Sequence, residues 1–162
     1  MWTKHATYLT EHDLNMRNRS GIILIENNKL ALIERHRNGL HYFAFPGGGI
    51  DEGESPEQAA VREAEEELGV VVEIQQKAAE VFINGNTQHY FLVSRISGDF
   101  GTGTGEEYSE YNPAFGTYLP LWIPIENILS KNVLPRELAE LVVRCSQEGW
   151  ANKAAQLFSK KK

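Results

Sequence analysis

The sequence has little cysteine, little positive charge and no long apolar run. Its 162 residues include one cysteine, Cys145, so it forms no intrachain disulfide and a reducing compartment is expected. The 16 basic and 22 acidic residues give a net charge of −6, which argues against a nucleic-acid polymer as partner, because such polymers bind basic surfaces. The apolar runs fall far short of the roughly 20 residues that span a bilayer, so no membrane contact is expected. Residues 1–5 do not begin a signal-peptide pattern, and we expect a cytoplasmic protein.

The composition fits a single globular domain, since 41% of the residues are apolar. A chain of this length buries a core without disulfides or structural metals. We assign residues 1–18 to an N-terminal arm, 19–150 to the domain and 151–162 to a solvated tail. Apolar runs between turn residues predict strands over 20–25, 30–33, 70–83, 88–93 and 118–123. The remaining pattern predicts helices over 56–68 and 135–150, a short helical turn over 126–130, a glycine turn over 46–49 and a long loop over 98–116.

The helix over 56–68 has well-marked ends. Ser55 is a good N-cap, Gln58 completes a capping box with it, and Pro56 suits the first helical position. Gly69 is typical of the residue that ends a helix. The apolar side of this helix, which we expect to pack on a sheet, consists of Ala60, Val61, Ala64 and Leu68.

The same helix concentrates negative charge. Glu63, Glu66 and Glu67 fall at i, i+3 and i+4 and therefore share one face, whereas Glu65 points elsewhere. Together with carbonyls of the glycine turn, these carboxylates form an all-oxygen site that suits Mg²⁺ or Mn²⁺. Because such an ion shares a substrate phosphate, the pattern indicates phosphoryl transfer to water. Arg62 is expected beside this face, where it holds one carboxylate in its ligating orientation.

Several alternatives stay open on the residues alone. Charge by itself favours a simpler interpretation of the helix, namely a solvated acidic surface. Zinc is not expected, because no cysteine–histidine cluster has ligand spacing. Arg35 and Arg37 are interpreted either as a solvated strand end or as phosphate contacts. Cys145 lies in an apolar helical pattern, where a core thiol is expected rather than a nucleophile.

The spacing around the helix resembles the signature of the Nudix hydrolases. That signature is a glycine, five residues, a glutamate, seven residues, then Arg-Glu-aliphatic-any-Glu-Glu-any-Gly-aliphatic, and here it runs from Gly48 through Glu54 to a stretch that begins at Arg62. Ala64 stands where a larger aliphatic residue is usual, and every other fixed position matches. The resemblance covers roughly residues 20–149. It implies an α+β fold, an α/β/α sandwich in which helices flank a mixed β-sheet.

The resemblance also implies a metal-dependent pyrophosphatase that hydrolyses a nucleoside diphosphate linked to another moiety, with Mg²⁺ or Mn²⁺ as cofactor. Carried over by position, Glu63, Glu66 and Glu67 match the metal ligands, and the Gly48 carbonyl is a further ligand. Glu66 or Glu67 also serves as the base that activates water, with Arg62 beside them. Members often take one more carboxylate from a loop, and here that predicts Glu106 or Glu107. The position of Glu54 lies near the metals in some members.

The substrate is left open by the sequence. Arg35 or Arg37 is the candidate for phosphate binding, and Tyr108 is among the aromatic residues that offer a stacking surface for a base. The full aromatic set is Tyr42, Phe43, Tyr108, Tyr111, Phe115 and Trp122. We favour a small-molecule pyrophosphohydrolase for (deoxy)nucleoside triphosphates or related nucleotides. The alternatives are a catalytically silent module that senses a nucleotide, and an isomerase, which needs a catalytic cysteine. Many relatives are dimers, and Trp2 or Tyr8 is a candidate for a homodimer contact, but the sequence leaves the oligomeric state open.

Overall fold

A computed structural model describes residues 17–103 and 116–159 of the chain, and these contain strands, two α-helices and a 3₁₀ helix. The strands are β1 (Arg19–Glu26), β2 (Lys29–Arg37), β3 (Leu40–Ala44), β4 (Gly47–Gly49), β5 (Val70–Ile83), β6 (Asn86–Gly98), β7 (Leu119–Pro124), β8 (Val133–Leu134) and β9 (Ala155–Phe158). The helices are α1 (Pro56–Leu68), the 3₁₀ helix (Ile125–Ser130) and α2 (Arg136–Glu148). Outside the described residues lie the predictions made for Trp2, Tyr8, Glu106, Glu107, Tyr108, Tyr111 and Phe115.

The strands form a mixed sheet whose order is β8-β3-β2-β1-β6-β5-β9, with β4 paired to β1 and β7 paired to β2. The β1 strand pairs with β6 in parallel, and it pairs with β2 and β4 antiparallel. Its pairing with β2 involves only Ile25 with Leu30 and Glu26 with Lys29. Beyond that hairpin, β2 runs beside β3 and β7 instead. The sheet therefore divides into two parts that meet at β1.

Two apolar cores cover opposite sides of the sheet. Along β1, Ile22 and Leu24 belong to one core and Ile23 to the other, as the alternation of a strand requires. The first core is completed by three residues of α1, which are Ala60, Ala64 and Leu68. The second is completed by four residues of α2, which are Leu138, Ala139, Leu141 and Val142. This arrangement confirms the expected sandwich, and neither helix is long and apolar enough to cross a membrane in the part described.

Several segments differ from the sequence-based predictions. The glycine turn predicted over 46–49 is wrong, because Gly47–Gly49 form β4 against the start of β1. Glycine permits this close approach, since a Cβ on Gly47 would lie 2.7 Å from the Cα of Gly21. Residues 155–158, predicted to belong to a solvated tail, form β9 parallel to β5. Residues 40–44, for which no strand was predicted, form β3, and α2 ends at Glu148 rather than at residue 150.

Candidate active site

The ends of α1 are fixed by the residues predicted to cap it. The Ser55 hydroxyl accepts a hydrogen bond from the Gln58 backbone N–H at 3.0 Å, and the Gln58 side chain accepts one from the Ser55 N–H at 2.9 Å. Gly69 ends the helix in the left-handed conformation, with a φ of 80°. The Ser20 hydroxyl of β1 donates to the Pro56 carbonyl at 2.5 Å. These contacts fix where the helix starts and how it is rotated on the sheet, and hence which way its glutamates point.

The glutamates of α1 separate into two directions, as their spacing predicts. Glu63 and Glu67 are buried, with 8% and 6% of their surface exposed, while Glu65 is exposed. Glu66 lies at the margin, with 41% of its side chain exposed. The solvated acidic surface considered above therefore describes Glu65 alone. Glu63 and Glu67 lie against β4, and the Glu63 and Glu66 carboxylates accept hydrogen bonds from Arg62 of the same helix.

Strand β4 brings backbone groups against the buried glutamates. The Gly47 N–H donates a hydrogen bond to Glu67 Oε1 at 2.9 Å. A Cβ on Gly48 would lie 2.6 Å from the carboxyl carbon of Glu63 and 2.9 Å from its Oε1, so any larger residue would displace that carboxylate. Gly48 thus leaves the space in which the Glu63 carboxylate lies. Its carbonyl stays a predicted ligand.

Arg62 holds the acidic face together. Its guanidinium donates to both carboxylate oxygens of Glu54, at 2.7 and 3.0 Å. It also donates to Glu63 Oε2 at 3.0 Å, to Glu66 Oε1 at 3.3 Å and to the Gly49 carbonyl at 3.0 Å. One planar cation therefore orients three carboxylates and a carbonyl at once, which only an arginine can do. The expected position of Arg62 beside the acidic face is confirmed.

The ion pair between Arg62 and Glu54 shifts the pKa of both groups. The hydrogen bond from Arg62 lowers the pKa of Glu54 below its ordinary value, and a backbone hydrogen bond from Asp51 acts in the same direction against the effect of burial. The same hydrogen bond, with the charges of Glu63, Glu54 and Asp51, raises the pKa of Arg62. Both groups stay charged throughout the neutral range. Glu54 therefore acts on this site through Arg62, whose guanidinium it anchors.

The donor set at this face fits a hard divalent cation. It consists of oxygen atoms only, from the carboxylates of Glu63, Glu66 and Glu67 and the carbonyls of β4, and it carries more formal negative charge than Arg62 balances. Magnesium and manganese bind such oxygen ligands, whereas zinc sites use histidine or cysteine. The residues present therefore fit Mg²⁺ or Mn²⁺.

Arg35 and Arg37 form a separate group on β2. Arg35 is buried, with 8% of its surface exposed; its Nε donates to the Thr117 carbonyl at 2.8 Å and its guanidinium lies 3.7 Å from the centre of the Tyr118 ring. Arg37 is half-buried and lines a cavity of about 330 Å³ between the β2–β3 hairpin and the segment of Gly116 and Thr117. The structure brings Glu54, Arg62, Glu63, Glu66, Glu67 and Gly48 together and places the two arginines elsewhere along the sheet. Their role as phosphate contacts stays a prediction.

Some residues considered for function are used for packing. Phe43 is part of the core on the α2 side, and Trp122 packs against the other core with its ring 4.5 Å from that of Phe100. Cys145 is a half-buried free thiol on the α2 side, and burial raises its pKa. The acidic face lies on α1, on the other side of the sheet, so Cys145 is not placed to supply the chemistry of an isomerase there.

One group of potential metal-binding side chains, which contains two histidines, was not recognised from the sequence. Glu34, His36 and His41 place their ligand atoms within 4.8 Å of one another on the β2–β3 hairpin. The signal was present: Glu34 and His36 are two residues apart on a strand, and Asn38-Gly39 is a typical hairpin turn. Only the pairing of the two strands shows that His41 lies opposite His36.

Comparisons with known proteins agree with this geometry. A family model described as NUDIX domain matches residues 16–142. An RNA pyrophosphohydrolase of Psychromonas ingrahamii is 30% identical over 136 residues, which are 68% of this chain and 71% of that protein. An 8-oxo-dGTP diphosphatase of Escherichia coli is 46% identical over 82 residues, 49% of this chain and 52% of that protein.

The fold is shared with solved structures at low sequence identity. A NUDIX hydrolase from Nitrosomonas europaea superposes with a TM-score of 0.67 at 19% identity, covering 88% of this chain and 79% of that one. The mixed sheet between helices is therefore a known architecture.

Proposed function

Since this chain belongs to the Nudix family and is a hydrolase of pyrophosphate bonds, we propose that it acts on free nucleoside 5′-triphosphates and releases pyrophosphate. The observation that carries the proposal is the acidic face of α1, on which Glu63, Glu66 and Glu67 point the same way and Arg62 holds two of them. A polyphosphate is the substrate that such a face can bind through a divalent cation.

Each residue of the face has a separate task in this proposal. Glu63, Glu66 and Glu67 would hold Mg²⁺ or Mn²⁺, and Arg62 keeps the carboxylates of Glu63 and Glu66 oriented. When bound, the cation neutralises the substrate phosphates and makes a bound water more acidic. The carboxylates are preoriented by the helix and by β4, so little reorganisation is needed when the substrate arrives.

The base that takes the proton of the attacking water is Glu66 or Glu67. Glu67 Oε1 already accepts the Gly47 N–H at 2.9 Å, so one of its two carboxylate oxygen atoms is engaged with β4. Glu66 is more exposed, and its contact with Arg62, at 3.3 Å, is longer than the 3.0 Å contact of Glu63. These features favour Glu66 as the base and Glu67 as a ligand. Glu66→Gln should then lower kcat more than it weakens Mg²⁺ binding, whereas Glu67→Gln should weaken Mg²⁺ binding more than it lowers kcat.

The choice of a free nucleotide rests on chemistry that the relatives share. One is named a pyrophosphohydrolase of RNA and the other a diphosphatase of 8-oxo-dGTP, so both names combine a nucleotide or RNA substrate with the hydrolysis of a phosphate anhydride. The net charge of −6 disfavours a polyanionic RNA body and leaves a small triphosphate as the preferred substrate. The 5′ end of RNA is the second candidate, because the Psychromonas protein is similar over 136 residues.

A substrate panel tests this proposal directly. The protein is incubated with Mg²⁺ or Mn²⁺ and with nucleoside triphosphates, 8-oxo-dGTP, a 5′-triphosphate RNA, nucleotide sugars and dinucleotide polyphosphates, and pyrophosphate and phosphate release are measured. The Glu63→Gln variant serves as the inactive control. We expect the highest kcat/KM on free triphosphates, with pyrophosphate as product. A higher kcat/KM on the 5′-triphosphate RNA would identify the 5′ end of RNA as the substrate instead. Inactivity on every compound would favour the nucleotide-sensing module.

A further inference from the structure

The β2–β3 hairpin carries a cluster that the hydrolase chemistry does not use. Within residues 17–103 and 116–159, Glu34, His36 and His41 form the one group of three potential metal-binding side chains whose ligand atoms all lie within 4.8 Å of one another. The cluster belongs to β2 and β3, whereas the acidic face belongs to α1 and β4. Its nature is also different, because two of its three groups are imidazoles.

The backbone of the hairpin fixes the cluster. Asn38 and Gly39 have φ values of 54° and 79°, so they form a two-residue turn of the type that sets strand register. In that register His36 lies directly opposite His41. Glu34 is two residues before His36 and hence on the same side of β2. The side chains therefore meet because of strand pairing and not because of mobile loop contacts.

The neighbours of the cluster hold it in place. The Thr117 hydroxyl accepts the His36 backbone N–H at 3.1 Å, and the Thr117 N–H donates to the His36 carbonyl at 3.1 Å. The Asn132 amide donates to the His41 carbonyl at 3.2 Å, and the His41 ring lies 5.2 Å from that of Phe43 in the core. Both histidine backbones are thus bonded to segments outside the hairpin.

The side chains of the cluster are in direct contact with one another. His41 Nε2 and Glu34 Oε2 are 2.6 Å apart, and the rings of His36 and His41 are stacked with their centres 4.1 Å apart and their planes 6° from parallel. Ligand atoms around a tetrahedral zinc ion are about 3.3 Å apart, given zinc–ligand distances of roughly 2.0–2.2 Å. The 2.6 Å contact is shorter than that spacing and the 4.8 Å limit on the cluster is longer, so the side chains must rotate to surround an ion.

We propose that Glu34, His36 and His41 form a binding site for a borderline divalent transition metal such as Zn²⁺, separate from the carboxylate face of α1. Two imidazoles and a carboxylate select such a metal over Mg²⁺, which prefers oxygen ligands. Three protein ligands leave one position of a tetrahedral site for water. His36 and His41 also line the cavity of about 330 Å³, which gives the ion access from solvent.

Calorimetric titration of the full chain with Zn²⁺, in excess Mg²⁺ to fill the carboxylate face, tests the site. We expect one Zn²⁺ per chain in the wild type. Binding should be at least about tenfold weaker in His36→Asn, His41→Asn and Glu34→Gln, since each loses a ligand. Titration with Co²⁺ should give the visible absorption of a tetrahedral ion in the wild type and not in these variants.

Matched variants distinguish this site from other sources of zinc binding. Glu73→Gln removes an exposed strand carboxylate, His12→Gln removes an imidazole outside the described residues, and Glu66→Gln removes a carboxylate of α1. All three should bind Zn²⁺ as the wild type does. Absence of binding in the wild type, or unchanged binding in the variants of the cluster, would overturn the proposal. Glu34→Gln preserves shape, so it keeps the test decisive if a histidine variant fails to fold in circular dichroism.

Discussion

The acidic face of α1 and the histidine cluster of the β2–β3 hairpin are assembled in opposite ways. The acidic face comes from a continuous stretch of 23 residues, 48–70, in which helical spacing and a glycine strand align the carboxylates. The histidine cluster comes from two strands and depends on their register. The first offers oxygen atoms organised by Arg62, and the second offers imidazole nitrogen beside a single carboxylate. The two regions should therefore respond to different metals and to different mutations.

Arg62→Lys should produce the largest difference between the two regions, because it should impair activity at the acidic face and leave zinc binding at the hairpin unchanged. Lysine cannot reproduce the fork that contacts Glu54, Glu63 and Glu66, so kcat for pyrophosphate release should fall about 10- to 100-fold. Zinc binding at the hairpin should not change. The matched control is Arg95→Lys, which removes a fork to Glu26 and leaves the contacts of Arg62 intact. Equal activities in the two variants would contradict the role given to Arg62.

Gly48→Ala should have a smaller effect that is confined to the position of one carboxylate, that of Glu63. The added methyl group meets the Glu63 carboxylate and displaces it, which should lower kcat about tenfold while leaving the melting temperature nearly unchanged. Gly49→Ala is the neighbouring control, because its methyl group meets the half-exposed side chain of Arg17, with the guanidinium carbon 2.7 Å away. Steady-state kinetics on both variants make the comparison. A Gly48→Ala enzyme as active as Gly49→Ala would show that the position of Glu63 is not critical.

Glu54→Gln should reduce stability in a pH-dependent way. Because the folded pKa of Glu54 is lower than its ordinary value of 4.5, its ionised form stabilises the fold above that pH, and this contribution is lost as pH falls through the folded pKa. We expect the wild type to exceed the variant by about 1–2 kcal/mol in free energy of unfolding at pH 7, since a charge-assisted hydrogen bond is lost at a partly exposed site. Urea titrations at pH 7 and at pH 3 measure the difference. A difference as large at pH 3 as at pH 7 would contradict this origin.

The smallest effect is expected on the α2 side, at Cys145. Its raised pKa keeps the thiol protonated at neutral pH, so a disulfide reagent should react slowly at pH 7 and faster as pH rises above 9, the ordinary value. Cys145→Ser should leave kcat within about twofold of the wild type, because this side of the sheet carries no part of the proposed reaction. A large loss of activity in this variant would place chemistry on α2.

Prediction from sequence worked where the determinants are local. The bounds of α1 follow from Ser55, Pro56 and Gly69, and the buried and exposed glutamates follow from helical spacing, so both are confirmed by the structure. Strands β4 and β9 were missed because each is defined by a partner far away in the chain, β1 for one and β5 for the other. The histidine cluster was missed although its turn is local, because no strand was predicted over residues 40–44 and the pairing of His36 with His41 was therefore not recognised. Pairing register is a property of two segments, and no local pattern of either contains it.

The most direct test of the account compares Glu66→Gln with Glu65→Gln on a nucleoside triphosphate. Both substitutions remove one charge from the same helix, but Glu66 borders the Arg62 cluster and Glu65 is exposed to solvent. With kcat measured as pyrophosphate release at saturating Mg²⁺, Glu66→Gln should be slower than wild type by about 10²- to 10⁴-fold, and Glu65→Gln should match wild type. Equal rates in the two variants, with both proteins folded, would contradict the assignment of the chemistry to this face.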